Sequence, residues 1–184
     1  MMFASKLDRP GPKHDQGFTL IELAVVILII GILLSLALPS FLGVRKNAQH
    51  KAAQSTVRTA LVTARSVFSD TSSYNISETS MTAMEPSKSF KFDGTFVAAT
   101  PTASPAGTNA ATDASTVVYW GDAENFVAVA RSQGGRCYMA VEDYSPSNNI
   151  TAIYYKASST TSDCLIPATV ISANAAPTGW TKLS

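Results

Sequence analysis

Residues 17–38 read Gly17-Phe18-Thr19-Leu20-Ile21-Glu22-Leu23-Ala24-Val25-Val26-Ile27-Leu28-Ile29-Ile30-Gly31-Ile32-Leu33-Leu34-Ser35-Leu36-Ala37-Leu38. From Phe18 onward the run is nearly all aliphatic, and Glu22 is its single charge. At about 1.5 Å of rise per residue a helix over this run is roughly 31 Å long, enough to cross a bilayer's hydrocarbon core. The alternative is a secretory signal peptide, whose apolar region runs about 7 to 15 residues and ends at a small-residue cleavage site. Ser35-Leu36-Ala37 would serve as that site. Against it, the run is too long, and Pro39 follows where a processing enzyme needs an extended strand. A membrane helix is the better reading. Glu22 is out of place in it, because a carboxylate at the centre of a membrane helix costs about 2.5–3.5 kcal/mol even on the lenient insertion scale. Either Glu22 sits in the first turn, near water and the positive end of the helix dipole, or it has a functional partner.

The flanks leave orientation nearly undecided: Lys6, Arg9 and Lys13 precede the run, and Arg45, Lys46 and Lys51 follow it. Cysteine usage breaks the tie. Cys137 and Cys164 lie far downstream in a Ser/Thr-rich region and read as one disulfide formed outside the reducing cytosol. The N-terminus is therefore expected in the cytoplasm and the remainder outside. The whole chain of 184 residues is 46% hydrophobic and 15% charged, with a net charge of +1, room for one globular domain plus an accessory segment. So few charges argue against charge-driven disorder and against nucleic-acid binding by bulk basicity. Two histidines, His14 and His50, and two cysteines are too few for a Cys/His zinc cluster and leave little for histidine acid–base chemistry.

Gly17-Phe18-Thr19-Leu20-Ile21-Glu22, after a short polar leader and before a long aliphatic run, resembles the processing site of type IV prepilins and of the pseudopilins of secretion and DNA-uptake machines. The register includes Gly before the cut, Phe after it, Glu four positions on, and Pro39 seventeen residues beyond Glu22. The resemblance implies cleavage between Gly17 and Phe18 by a prepilin peptidase, N-methylation of Phe18 and loss of the leader, residues 1–17. It also implies an α+β fold: a long N-terminal transmembrane and stem helix packed against a small antiparallel β-sheet head. Cleavage would explain Glu22, since the new ammonium of Phe18 is a cation at the same depth. Two pairings stand open: Phe18 of one subunit with Glu22 of the next, or both within one chain, four residues apart on one helix face. In the first, Glu22 is a register device for assembly more than a stabiliser.

Beyond Leu38, Phe41, Val44, Ala48, Ala52, Val57, Leu61, Ala64 and Phe68 recur at three- to five-residue spacing and continue the helix to about Ser69. Pro39 removes one backbone hydrogen bond and bends or opens the turn before it. By the resemblance, the segment between Gly31 and Pro39 can lose helical order in an assembled pilus; alternatively Gly31 and Ser35 let neighbouring helices approach. The domain plan is a leader (1–17), a hydrophobic half-helix (18–42), an amphipathic half-helix (43–70) and a head (71–184). Charge divides unevenly. The stem holds Arg45, Lys46, Lys51, Arg58 and Arg65 against Glu22 alone, whereas residues 66–184 hold six basic and ten acidic groups. The stem cations can rest on membrane lipid before assembly, face acidic heads afterwards, or simply be solvated. As a nucleic-acid site they are a weak signal, with no aromatic platform.

In the head, a short helix is expected at Glu78–Met84 and an exposed loop at Thr100–Ser115. Strands are expected at Thr116–Trp120, Phe126–Arg131, Arg136–Glu142 and Ile150–Tyr155, forming an antiparallel meander with one face on Val57, Leu61, Ala64 and Phe68. A Cys137–Cys164 disulfide would tie the tail, Ser158–Ser184, onto the sheet. Gly135-Arg136-Cys137-Tyr138 with its late second Cys also resembles pilins of actinobacteria-like sources. Asp113, Asp122, Glu124, Asp143 and Asp163 are scattered without the spacing of a calcium loop, and no hydrolase or zinc-protease motif is present. Asn75-Ile76-Ser77 and Asn149-Ile150-Thr151 match the glycosylation sequon, unsurprising in a Ser/Thr-rich chain. No enzyme activity, cofactor or metal is expected. The expectation is a filament subunit made of identical copies, served by prepilin peptidase, an assembly ATPase and a platform membrane protein, held in the cytoplasmic membrane before assembly and displayed outside afterwards. The alternatives are a pseudopilin of a type II secretion or DNA-uptake machine, or a single-span anchored binding protein or enzyme that never polymerises.

Overall fold

The computed structural model describes residues 17–94, 110–146, 149–160, 163–167 and 176–183, the side chains of residues 39 and 40 excepted. The leader up to residue 16, most of the Thr100–Ser115 loop, part of the Ser145–Asn149 turn and much of the tail lie outside the described residues. The chain divides into two compact units, Met1–Leu42 and Gly43–Ser184.

Helix α1 runs Leu20–Thr71 and contributes to both units. In the first unit it is bare. Leu20–Leu38 has a mean hydropathy of 2.9 and none of it is buried, and among the described residues it is the one helix long and apolar enough to cross a membrane. In the second unit α1 carries a buried face, with Ala53, Val57, Ala60, Leu61 and Ala64 in a core shared with the sheet. Val67 and Phe68 pack against that core. Its end comes two residues later than the periodicity suggests. Ser72 takes a left-handed conformation (φ 55°) and its N–H donates to Phe68 O (2.7 Å), the backbone geometry that stops a helix. Helix α2 is Glu78–Met84, capped by Ser77, whose hydroxyl accepts from Ser80 N–H at 3.1 Å.

The head sheet has six strands in sequence order: β1 (Ser89–Phe92), β2 (Thr116–Gly121), β3 (Asn125–Ser132), β4 (Arg136–Asp143), β5 (Ile150–Ala157) and β6 (Thr181–Lys182). The four expected strands are β2 to β5, paired antiparallel. The sheet is nevertheless mixed and not wholly antiparallel, because β1 joins β2 in parallel, Ser89 opposite Thr116 through Phe92 opposite Tyr119. A tight hairpin can only return a strand antiparallel; the long connection 93–115 permits the parallel return. At four residues, Ser-Phe-Lys-Phe is too short a pattern to announce itself.

Strand alternation sorts the sheet into two buried faces. Val117, Tyr119, Phe126, Ala128, Ala130, Tyr138 and Ala140 join the stem residues in one core. Val118, Trp120, Val127, Val129, Met139, Val141, Ala152 and Tyr154 form the other, closed by Ala111, Ile166, Trp180 and the Cys137–Cys164 disulfide. Burial on both sides is why β2 and β3 read as nearly unbroken apolar runs. The disulfide spans 27 residues, a closure that stabilises the head by roughly 3.5 kcal/mol in the chain-entropy model. Lys156 Nζ stands 5.3 Å from the centre of the Trp180 ring, holding the tail to β5. The β3–β4 turn favours glycine at Gly135 and leaves little room at Gly134 unless the His50 ring shifts. Gly135 has φ +88°, and a Cβ on Gly134 would lie 2.7 Å from His50 Cε1.

Candidate functional site

The N-terminal site begins where α1 does. Gly17, Phe18 and Thr19 precede the first turn, and Phe18 is 89% exposed. Thr19 caps the helix and Glu22 stands three residues on, so the two bond reciprocally. Thr19 N–H and Thr19 Oγ1 donate to Glu22 Oε2 at 2.9 and 2.8 Å, while Glu22 N–H donates to Thr19 Oγ1 at 3.3 Å. This is a capping box: two helix-end N–H groups that would otherwise lack partners are satisfied by side chains. Both bonds into the carboxylate land on Oε2. The Thr-x-x-Glu spacing announces the device in the sequence, yet the weight of the neighbouring Gly-Phe pair draws attention away from it. Phe18 and Glu22 line one shallow depression with Ile21, Val25 and Val26, placing both on one side of the helix start.

Further along this segment Ala24, Ile27, Leu28, Gly31, Ile32 and Ser35 line a second shallow, apolar depression. A Cβ at Gly31 would meet nothing within 4 Å in the single chain. Ser35 donates its hydroxyl to Ile32 O at 2.7 Å, so its polarity is spent within the helix. Ile21, Leu23, Val25, Val26 and the large aliphatic residues that follow are 46% exposed or more, with no covering surface among the described residues. Pro39 falls within α1, and its side chain is outside the described residues.

In the second unit, polar contacts made by Arg65, Thr56 and His50 fix the stem half of α1 on the head, beside a longer one from Gln49 Nε2 to Gln133 Oε1 at 3.4 Å. Arg65 meets Glu142 through both nitrogens, Nη2 to Oε2 at 2.7 Å and Nε to Oε1 at 3.0 Å, and also donates to Thr151 Oγ1 at 2.9 Å. Glu142 is 2% exposed, and its hydrogen bonds hold the guanidinium above its ordinary pKa. Thr56 Oγ1 donates to Ala114 O at 2.7 Å. His50 Nδ1 lies 3.0 Å from Ser132 Oγ, which accepts from Gly134 N–H. Partial burial, with the positive charges of Arg136 and Lys46 nearby, lowers the His50 pKa below its usual 6.5. None of the three was singled out from sequence, since a lone Arg, Thr or His on an otherwise apolar helix face carries no local signal.

Four of the five scattered acids, all but Glu124, have local employment. Asp113 accepts from the N–H groups of Ser115 and Thr116, Asp122 from those of Glu124 and Asn125, Asp143 from Ser145, and Asp163 from Ser159 and Thr160. The Ser115 hydroxyl and these amides draw Asp113 below the carboxylate range, and the Thr160 and Ser159 amides do the same for Asp163. Each closes its own turn.

The segment 12–38 matches the family model for the prokaryotic N-terminal methylation motif. Over 70 residues the chain is 33% identical to the type IV major pilin protein PilA of Myxococcus xanthus (strain DK1622), a stretch that covers 38% of this chain. The match spans about a third, 31%, of that relative's length. No solved structure matches. The chain is thus similar at its N-terminal segment to the methylation motif and, over part of its length, to a type IV major pilin, and its apolar helix followed by an α+β head is consistent with the type IV pilin fold.

Proposed function

We propose that this chain is a prepilin whose mature form is the repeating structural subunit of an extracellular, type IV pilus-like filament. The observation that carries the reading is the pairing of a methylation motif with a wholly uncovered apolar helix that holds a carboxylate at its start. A prepilin peptidase cuts between Gly17 and Phe18, and the new amino group of Phe18 is methylated. Before assembly, lipid covers Leu20–Leu38 and the stem cations face the membrane surface or water. In the filament the same surface packs against identical helices. There the ammonium of Phe18 meets Glu22 of a neighbour, since an unpaired carboxylate within such a bundle costs several kcal/mol. The capping box and this pairing are compatible, because the capping bonds from Thr19 reach Oε2 and leave Oε1 to accept. Gly31 and Pro39 mark the stretch where the helix yields during assembly.

The role is structural and not enzymatic. An assembly ATPase and a platform membrane protein drive polymerisation. A filament is favoured over a pseudopilin because the curated relative is named a major pilin. Mass spectrometry of the N-terminus of the protein recovered from cells tests the processing: Phe18 bearing a methylated amine is the expected result. A mature chain beginning after Ala37 would contradict it.

A further inference from the structure

Glu78, Glu85, Asp113, Asp122, Glu142, Asp143 and Asp163 each accept hydrogen bonds within the head. Asp70 and Glu124 are exposed and accept none among the described residues. They share one end of the head. Asp70 lies two residues beyond Phe68, whose ring stacks on Tyr144 at 5.1 Å, and Tyr144 N–H donates to the carbonyl of Glu124 at 2.9 Å. Tyr144 is itself 49% exposed, so this end presents an aromatic ring on the same part of the head as the segments that carry Asp70 and Glu124.

The stem carries the opposite feature. Lys51 and Arg58 stand seven residues apart on one helix face and line a groove of about 450 Å³ with Gln54, Ser55 and Leu183. Both are exposed, neither forms an ion pair among the described residues, and no acid is among the described residues that line the groove. Asp70 does not reach the groove inside one molecule. Asp70 is twelve residues past Arg58 on the same helix, roughly 18 Å at 1.5 Å per residue, more than twice the screening length of about 8 Å at physiological salt.

We infer that the Asp70–Glu124–Tyr144 end of one copy docks into the Lys51–Arg58 groove of a second copy of this chain. A patch at one end that fits a groove elsewhere on an identical molecule makes a heterologous contact, which repeats without closing. The inference rests on the filament reading above and supplies it with a head-level contact that sets orientation by charge.

The test uses the full chain, prepared in light and heavy nitrogen isotopes, mixed and allowed to polymerise, then treated with a carbodiimide that joins amines directly to carboxylates. Cross-links from Lys51 to Asp70 or Glu124 of the other isotope are expected. Reversing the groove (K51E with R58E) should lower polymer yield about tenfold or more, as should reversing the end (D70K with E124K), and mixing the two variants should restore yield to within about twofold. Normal polymer from the groove variant overturns the inference while leaving the filament reading intact. If the groove variant loses only its binding to phosphatidylglycerol-containing vesicles, the cations serve lipid and the inference fails. Unaltered chains that form no polymer refute the filament reading, whereas polymer lacking the mixed-isotope links refutes only this contact.

Discussion

Glu22 has two jobs to separate at the level of the single residue. As the third residue of α1 it completes the cap with Thr19, and in the proposed filament its carboxylate would be the counter-charge for a neighbour's Phe18. Glutamine can still accept from the Thr19 N–H, but it carries no charge. Glu22→Gln should therefore insert and be cleaved like the parent yet yield at least about tenfold less sheared fibre, a deficit equivalent to about 1.4 kcal/mol. Fibre yield equal to the parent's would reduce Glu22 to a capping residue. His50 makes a second prediction at this scale. Its folded pKa lies below 6.5, so the folded head binds fewer protons than the unfolded chain in that window. The stabilising contribution is complete above pH 6.5 and is lost as pH falls through the folded value. Denaturant titrations of the parent at descending pH should show that decline, and His50→Gln should flatten it. A parent and variant with identical pH profiles would show that the imidazole is not coupled to folding.

Among the elements, the join between the stem half of α1 and the sheet carries most of the head's specificity. Its apolar part is generic, a stripe of Ala, Val and Leu on a face of Tyr, Phe and Ala. Arg65 and Glu142 fix which way the helix meets β4. Removing the cation leaves the buried Glu142 carboxylate without its partner, and since the Arg65 side chain is 42% exposed and water can reach part of the gap, Arg65→Ala should lower head stability by about 1–3 kcal/mol in denaturant unfolding. Replacing both partners with methionine should recover most of that loss, because the price of a buried ion pair is largely desolvation. A double variant as weak as the single would mean that the pair contributes net stability.

Reading the sequence reached this join unevenly, for physical reasons. Val57, Leu61, Ala64 and Phe68 were legible because helical periodicity reports which face is covered, and β2 to β5 because branched and aromatic runs end at turn residues. Arg65 with Glu142 was not, since two residues 77 apart in the chain give no local sign of meeting. Strands β1 and β6 are four and two residues long and are held by their neighbours, with little pattern of their own. At the N-terminus the segment that matches the methylation motif was legible in full, because a carboxylate in an aliphatic run is conspicuous. Its contact with Thr19 follows from the same letters and is a matter of helix-end chemistry.

For the molecule as a whole, the two units divide labour by what covers them. The Gly43–Ser184 unit is self-sufficient: both faces of its sheet are buried, and the disulfide draws the segment around Cys164 onto the second face. Leu20–Leu38 has no such cover, and so large an apolar surface demands either lipid or copies of itself. Moving from one cover to the other changes little in apolar burial but much for a charge, and this is why the account turns on Glu22. The most direct measurement is a high-resolution map of the polymer. Such a map is expected to place the amino group of Phe18 from one subunit within hydrogen-bond distance of the Glu22 carboxylate of the next, inside the helical bundle. A map with Glu22 facing solvent, or with its carboxylate far from every Phe18 amino group, would contradict it.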